Sequence, residues 1–525
     1  MAANLSRRLP VGIQSFRKIR KENYLYVDKS DIVWNMTHSD KQYVYLSRPR
    51  RFGKSVLVDT LQAYFEGHSE LFEGLKIMRM EKEWIEYPVI RFDMSGAGAD
   101  ADSVRSYLSY TLKDYEKKYD ADSNTSDSLA VRFKAVISAA YQKTGQPVVV
   151  LIDEYDSPLL HSWHSPQYEG VNTIYREVFA VLKIMDAIEH FVFITGITKF
   201  TQTSFFPVIN NLSNISFDAE YATICGITKQ EMISNFRLEI EQMAAVNELP
   251  TEATIDKLAN YYGGYHFCAD NMVDIYNPFS LINALSSKKL RNYWASLGYA
   301  PMLFDFVNQM ELRLNDSEQC ATLATLLETS DVAGGESELF LYQSGYLTIK
   351  GYMNGLYILG IPNHEVRQAF NQMALPALIM RDNDDIQSTL AYIYLYFSTG
   401  DLPKAKDVIT SLIANVASNN ERLMGMDVKE RYRLLFSTIF HAVGFHLEIE
   451  RVLPKKRIDL VVSTNDYVYA MDLMLTSEGG IASAEQELKT VSYVEPFEGD
   501  KRHIIPIAME LDDSGKGLID WKISD

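Results

Sequence analysis

The chain has 525 residues, 47% of them hydrophobic and 23% charged, with 51 Lys+Arg against 69 Asp+Glu and a net charge of −18. This composition excludes extended disorder and fibrous architectures, and the length predicts about three or four domains. Acidity on this scale also excludes a protein that coats nucleic acid over its whole surface, while leaving room for one local basic patch.

Three widely spaced cysteines, Cys225, Cys268 and Cys320, form no CxxC pair. That usage fits a reducing compartment with structural thiols and no zinc cluster. The opening MAANLSRRLPVGIQSF lacks the apolar segment of a signal peptide, and no apolar run reaches the roughly 18 residues of a membrane span. The expectation is a cytoplasmic, bacterial-type protein with no membrane partner.

Residues 1–215 alternate apolar runs with amphipathic segments, which reads as α/β. Strands are expected at Tyr43–Leu46, Val89–Phe92, Val148–Ile152 and Phe191–Thr195, helices at Ser55–Phe65 and Ser103–Lys117, and a loop at Tyr119–Ser128. Residues 216–365 are mostly helical, beginning with Thr228–Asn247, where Thr228 and Glu231 have capping-box spacing. Near its end, Glu338–Ile361 reads as a β-hairpin turned by Asn354-Gly355. With the helical pattern Ser317–Thr329 before it, the hairpin suggests a winged-helix-like unit. Residues 366–420 supply connector helices at Ile386–Phe397 and Leu402–Val416, read as packing core. Residues 421–525 return to α/β. A helix is expected at Val428–Val443, then strands at Phe445–Arg451, Asp459–Val462 and Val468–Leu473, a helix at Ala482–Val491 and a strand at His503–Ala508.

The strongest local signal is the strand Tyr43–Leu46 followed by SRPRRFGKSV. Against the phosphate-loop pattern G-x-x-x-x-G-K-[ST], it has Gly53, Lys54 and Ser55 in place and Arg48 where the first glycine would stand. A loop between a strand and a helix N-terminus points backbone N–H groups at an anion. Lys54 would reach the outer phosphates and Ser55 would sit on Mg²⁺, with Phe52 in the loop and Arg50 and Arg51 adding charge beside it. Downstream, the buried strand Val148–Ile152 ends in Asp153 and Glu154. Two acids there are costly without a cation or partner, and suit a metal-supporting Asp and a water-activating Glu. The next strand ends in Thr195 and Lys199, polar groups placed to sense a terminal phosphate; a plain turn is the other reading.

The runs LPVGIQSFRKIRKENYLYVDKS, YLSRPRRFGKS and VVLIDEYD resemble the bacterial AAA-ATPase-like family, in which an arginine-bearing loop replaces the first glycine. The resemblance continues through FVFITGITKF, YYGGYHF, YNPFSLINAL, YQSGYLTI and IPNHEVRQAF. It implies a P-loop NTPase-type parallel sheet, a helical lid and ATP with Mg²⁺ as cofactors. Gly53, Lys54, Ser55, Asp153 and Glu154 match position by position, and Arg50 or Arg51 is the candidate to stabilise developing charge unless a neighbouring subunit supplies that arginine. Many relatives carry a C-terminal PD-(D/E)xK nuclease-like domain of restriction-endonuclease-like fold. Here Glu450, Arg457, Asp459 and Asp472 match its pattern, while Lys456 stands for a glycine, Met474 for the catalytic lysine and Glu487 for a glutamine. Tyr493 and Trp521 fit the family's ending.

The oxygens of Glu450, Asp459 and Asp472 could still bind Mg²⁺, a hard cation that needs only oxygen ligands. A methionine at position 474 cannot carry a proton, and losing one acid/base participant weakens hydrolysis by ~10²–10⁴. Lys455, Lys456 or Lys489 are the candidates to substitute. Residues 421–525 hold 13 Lys+Arg and 19 Asp+Glu, whereas residues 1–54 hold 12 and 4. Positive charge therefore gathers at the phosphate loop. The favoured expectation is an ATP-binding, slowly hydrolysing switch that controls a catalytically impaired nuclease-like domain. An ATP-dependent nuclease acting on nucleic acid, and a scaffold for a protein partner or a second copy, remain the alternatives.

Overall fold

The computed structural model describes residues 8–523 apart from 122–127, 164, 200–210, 295–318, 324–326, 328–336, 381–382, 453–456, 491–496 and 498. The four expected segments gather into two compact units, divided between Asn363 and His364. The expected boundaries at 215/216 and 420/421 fall inside those units, because hydrophobic cores run across both.

In the first unit, strands β1 (Tyr43–Ser47), β2 (Val89–Asp93), β3 (Val148–Asp153), β4 (Glu189–Gly196) and β5 (Ser213–Asn214) form one sheet. Its order is β2-β3-β4-β1-β5, and every pairing is parallel. The first four are the expected strands. Continuous apolar runs such as Val148–Ile152 are what a sheet covered on both faces requires, and β3 is buried at every position. Helices Lys54–Phe65, Ala101–Tyr119, Leu129–Thr144 and Tyr168–Ile184 make the crossovers. Asp100 caps one by accepting from the Ser103 N–H at 2.9 Å, and Gly145, at φ +69°, ends another. Because β4 lies between β1 and β3, its C-terminal tip separates the phosphate loop from the acids that close β3. Ligands of open parallel sheets bind in the crevice outside such strand ends.

Four helices, Lys229–Asn235, Arg237–Val246, Thr251–Tyr262 and Pro278–Ser287, make up the segment expected to be the lid, with a short antiparallel pair, β6 (Ile227–Thr228) and β7 (Ile275–Tyr276). They pack around a core of Ile227, Met232, Phe236, Leu258, Leu281 and Leu285, which Leu25 of the N-terminal segment joins. The expected Thr228–Asn247 helix is two helices broken at Phe236 (φ −118°). Its capping box is present: the Glu231 N–H donates to the Thr228 hydroxyl at 3.2 Å, and Glu231 accepts from the Thr228 N–H at 2.9 Å. The hairpin is β9 (Thr348–Met353) and β10 (Leu356–Gly360), turned by Asn354 (φ +53°) and Gly355 (φ +83°). Ser337–Ser344 before it is helical, so only the later part of Glu338–Ile361 pairs. A third antiparallel strand, β8 (Gln319–Leu323), occupies ground expected to be helical; Ser317 and Glu318 lie outside the described residues.

Among the described residues, the larger of two core clusters in the second unit joins helices to a sheet. Leu375, Ile393, Phe397, Ile409, Phe436 and Phe440 from helices pack against Leu460, Tyr469, Met471, Ile507 and Trp521 from a sheet. That sheet runs β11 (His446–Val452), β12 (Arg457–Ser463), β13 (Tyr467–Leu475), β14 (His503–Leu511) and β15 (Leu518–Ile523) in sequential order. Only β13 and β14 are parallel, joined through the helix Gly480–Thr490. His364, Gln368 and Gln372, one helical turn apart, meet the carbonyls of Gly444, Val443 and Ala442 at 3.1, 3.2 and 2.9 Å. These bonds satisfy carbonyls that a helix C-terminus leaves open.

Candidate nucleotide site

The phosphate loop is anchored where it leaves β1. The Ser47 N–H donates to the Ser216 hydroxyl at 2.9 Å, and the Arg48 N–H to the Gly196 carbonyl at 3.2 Å. Left-handed backbone falls at Arg51 (φ +65°) and Gly53 (φ +91°), and Arg48 is not among the positive-φ residues. The missing first glycine therefore answers no backbone strain. Arg48 turns inward, 2% exposed, and donates to the carbonyls of Ser47, Ser216 and Tyr221 at 2.8, 2.9 and 3.0 Å. Its guanidinium stacks 4.2 Å from the Phe267 ring centroid.

Lys54 is buried and donates to the Arg48 and Pro49 carbonyls at 2.9 and 3.0 Å. Burial lowers its pKa, opposed by Glu154, Asp156 and Asp153. At the end of β3, Asp153 is fully buried, and neither carboxylate oxygen has a hydrogen-bond partner of ordinary geometry. Its pKa is pushed up to about 6, by burial first and then by the Asp93 carboxylate; the nearby Ser55 hydroxyl and Arg91 oppose the rise. Arg91 stands 3.6 Å from Asp153 and 3.2 Å from Asp59. Glu154 follows in left-handed backbone (φ +47°), a strained conformation for a non-glycine residue. Burial raises its pKa, while Lys54 and Arg50 pull it down.

Of these groups Lys54, Ser55 and Glu154 line a cavity of about 600 Å³, while the fully buried Asp153 is not in its lining. The lining also includes Arg50, Arg51, Phe52 and Gly53, and the apolar side chains Ile13, Leu25, Ile224, Ile227, Phe236 and Ile282. A lining that combines a phosphate loop with apolar side chains suits a nucleotide. The donor set also fits Mg²⁺. A buried carboxylate that accepts no hydrogen bond of ordinary geometry, beside a serine hydroxyl, calls for a cation or its water shell. Among the described residues no three His, Cys, Asp or Glu side chains are grouped to hold a metal by themselves, so phosphate oxygens and water would complete the shell.

Two expected site residues are placed differently. Thr195 is buried and gives its hydroxyl to the Leu46 carbonyl at 2.7 Å, joining β4 to β1. It does not line the cavity. Lys199 lies just beyond, its N–H donating to Gln343 at 3.1 Å. What holds this segment is Asp156, passed over in the sequence reading of the acid run. One of its oxygens accepts from the Ile197 N–H, the Thr198 N–H and the Thr198 hydroxyl at 2.9, 2.6 and 2.7 Å. A Cβ on Gly196 would come within 2.4 Å of the same carboxylate, so that position excludes any side chain. Asp93 carried a signal in its place at the C-terminal end of β2, paired with Asp153; Arg91, inside β2, and Asp156, past the end of β3, did not.

The motifs of unassigned role converge on the loop. Tyr265 and Phe267 of YYGGYHF pack edge-on against buried Phe52, with centroids 4.8 and 5.4 Å away. Phe279 of YNPFSLINAL lies under the Arg51 guanidinium at 3.6 Å. A Cβ on Gly345 of YQSGYLTI would approach Pro49 to 2.7 Å, and Asn363 of IPNHEVRQAF donates to the Gly263 carbonyl at 2.8 Å.

In the second unit, the expected nuclease-like acids meet protein cations. Asp459 accepts from Arg433 at 2.8 Å and from the Leu473 N–H at 2.9 Å, with Lys429 3.8 Å away. Glu450, in left-handed backbone (φ +50°), accepts from Arg457 at 3.1 Å and has Arg433 at 3.6 Å. Asp472 is buried one step beyond the Leu460–Met471 pair. Arg433, on the helix Val428–Val443, therefore pairs with two of the three carboxylates expected to hold a metal, Asp459 and Glu450. Met474 packs with Ile458, Ala484 and Phe497. Lys455, Lys456 and Tyr493, and the side chains of Glu487 and Lys489, lie outside the described residues.

Residues 10–206 match the AAA-ATPase-like family, described as a predicted AAA-ATPase. A protein of Azotobacter chroococcum mcd 1, described only as an uncharacterized protein in the vnfD 5′ region, is 29% identical over 523 residues, 96% of this chain and 97% of that one. The solved structure of the Aeropyrum pernix ORC2 protein in ADPNP and ADP complexes aligns with 68% of this chain and 97% of its own at 10% identity. Its TM-score of 0.31 is too low to carry an argument. No described helix is long and apolar enough to cross a membrane.

Proposed function

We propose, from an AAA-ATPase-like domain over residues 10–206, that the chain is a MgATP-binding switch that hydrolyses ATP slowly and acts on its nuclease-like second unit. The observation that carries this reading is a pair of buried groups, Lys54 in the cavity lining and Asp153 at the end of β3. Asp153 holds a buried carboxylate that, among the described residues, accepts no hydrogen bond of ordinary geometry and has Arg91 3.6 Å away, and Lys54 holds an ammonium bonded to two loop carbonyls.

In this reading the loop N–H groups and Lys54 bind the phosphates, and Ser55 and Asp153 hold Mg²⁺. The ion would neutralise charge on the phosphate oxygens. Glu154 orients the attacking water, its strained backbone fixing the carboxylate at the strand end. Arg50 is the arginine in cis, since Arg51 is committed to the Phe279 ring. Lid groups touch the loop directly, through Phe279 and through Asn277, whose amide reaches the Arg50 carbonyl at 3.5 Å. A ligand that changes the loop thereby acquires different affinities for different lid positions, the requirement for a switch. In the second unit, neutralisation of Asp459 and Glu450 by Arg433 agrees with impaired hydrolysis.

Titration of wild type and Lys54→Ala with MgATP tests the reading. The variant should bind on the order of 100-fold or more weakly, through loss of a charge-assisted contact. Equal affinities would sink it.

A further inference from the structure

We propose that Arg48 is a positioning residue for the nucleotide: its buried guanidinium, held by three main-chain carbonyls and the Phe267 ring, keeps the phosphate loop in its binding shape after Lys54 leaves for the phosphates. The inference rests on the nucleotide reading above and deepens it.

Two cations hold the loop from opposite sides. Lys54 grips the outside through the Arg48 and Pro49 carbonyls at 2.9 and 3.0 Å. A bound triphosphate would draw that ammonium away and leave both carbonyls unpaired. Arg48 grips the inside through Ser47, Ser216 and Tyr221, none of which lines the cavity, so its contacts do not depend on the ligand. Its planar fork satisfies carbonyls from two separate segments, a task for which the single-point ammonium of lysine is poorly shaped. Phe267 then links the strut to the lid, where Phe52 of the loop sits edge-on to the same ring at 5.4 Å.

A glycine at this position would restore the common phosphate-loop pattern. The backbone does not ask for one, because Arg48 is not in left-handed conformation. A glycine would leave the Ser216 carbonyl without its guanidinium donor and the Tyr221 carbonyl with only the Ile224 N–H at 3.2 Å among the described residues. The consensus residue is therefore the damaging one here.

Three variants, Arg48→Gly, Arg48→Lys and Phe267→Leu, are compared with wild type and Lys54→Ala for MgATP affinity, corrected for folded fraction, and for Tm without nucleotide. Arg48→Gly should weaken MgATP binding on the order of 10–100-fold, as expected when a binding loop shifts by about 1 Å. Arg48→Lys should recover part of the loss. Phe267→Leu keeps the carbonyl bonds, and should weaken binding severalfold with little change in Tm. It carries the test if Arg48→Gly fails to fold. Wild-type or tighter affinity in Arg48→Gly overturns the proposal, as does a lowered Tm with unchanged affinity, or unchanged affinity in Phe267→Leu. If Lys54→Ala loses binding while the Arg48 and Phe267 variants keep it, only the strut fails. A wild type that binds no MgATP ends the nucleotide reading, and the strut's role with it.

Discussion

Asp153 turns burial into a pH dependence. Its pKa of about 6 lies above the ordinary carboxylate value. Without ligand it contributes stability at low pH, and that stability is lost as pH rises through about 6. The shift corresponds to ~3 kcal/mol at most. Melting temperature measured from pH 4.5 to 7.5 should therefore fall across this window in the free protein. The slope should flatten in Asp153→Asn and disappear with saturating MgATP, where a cation holds the carboxylate charged. An unchanged slope in Asp153→Asn would assign the titration elsewhere. Residue identity made Gly53, Lys54, Ser55, Asp153 and Glu154 legible from spacing alone. Arg48, Arg91 and Asp156 were not legible, since their roles depend on carbonyls and strand tips far away in sequence. Thr195 misled for the same reason: a hydroxyl at a strand end reads alike whether it faces a cavity or a neighbouring carbonyl.

Among the elements, the helix Val428–Val443 decides the charge state of the second unit's acids. Arg433 serves Asp459, Glu430 and Glu450 together; of these only the Asp459 pair is well shielded from water, and removing the arginine from it costs about 1–3 kcal/mol. Arg433→Met should lower the second unit's melting temperature. It should also make that temperature respond to Mg²⁺, which then meets uncompensated carboxylates. Wild type should show no such response, and a Mg²⁺ response of equal size in both proteins would refute this role of Arg433. Buried parallel strands were legible because their apolar runs are continuous and bounded by polar turns. β8 was not: Gln319–Leu323 is short, carries no Gly or Pro boundary, and is as compatible with a helix by composition. The break at Phe236 escaped notice because the apolar spacing continues through it.

At the scale of the molecule, two units with separate cores should unfold in two transitions. Ligand at about 100 times its Kd stabilises its own unit by about 2.7 kcal/mol. A switch requires more: calorimetry should show MgATP shifting both transitions in wild type and neither in Lys54→Ala. A shift confined to the first would leave a nucleotide-binding module without output. The net charge of −18 conceals this division, since the positive N-terminal segment feeds the phosphate loop while the acids of the second unit are answered by Arg433 and Lys429.

The two carbonyl bonds of Lys54 have a last consequence, for ligand discrimination. Before any ligand arrives the loop already hosts a cation of its own, so every incoming anion is a competitor and not a mere occupant. A single phosphate or sulfate can replace two carbonyl contacts without adding many of its own, and gains little. A polyphosphate engages the ammonium, the loop N–H groups and the Asp153 metal position at once. The resting loop is thus a threshold that screens out the abundant small anions of a cell before the lid has any part in selection.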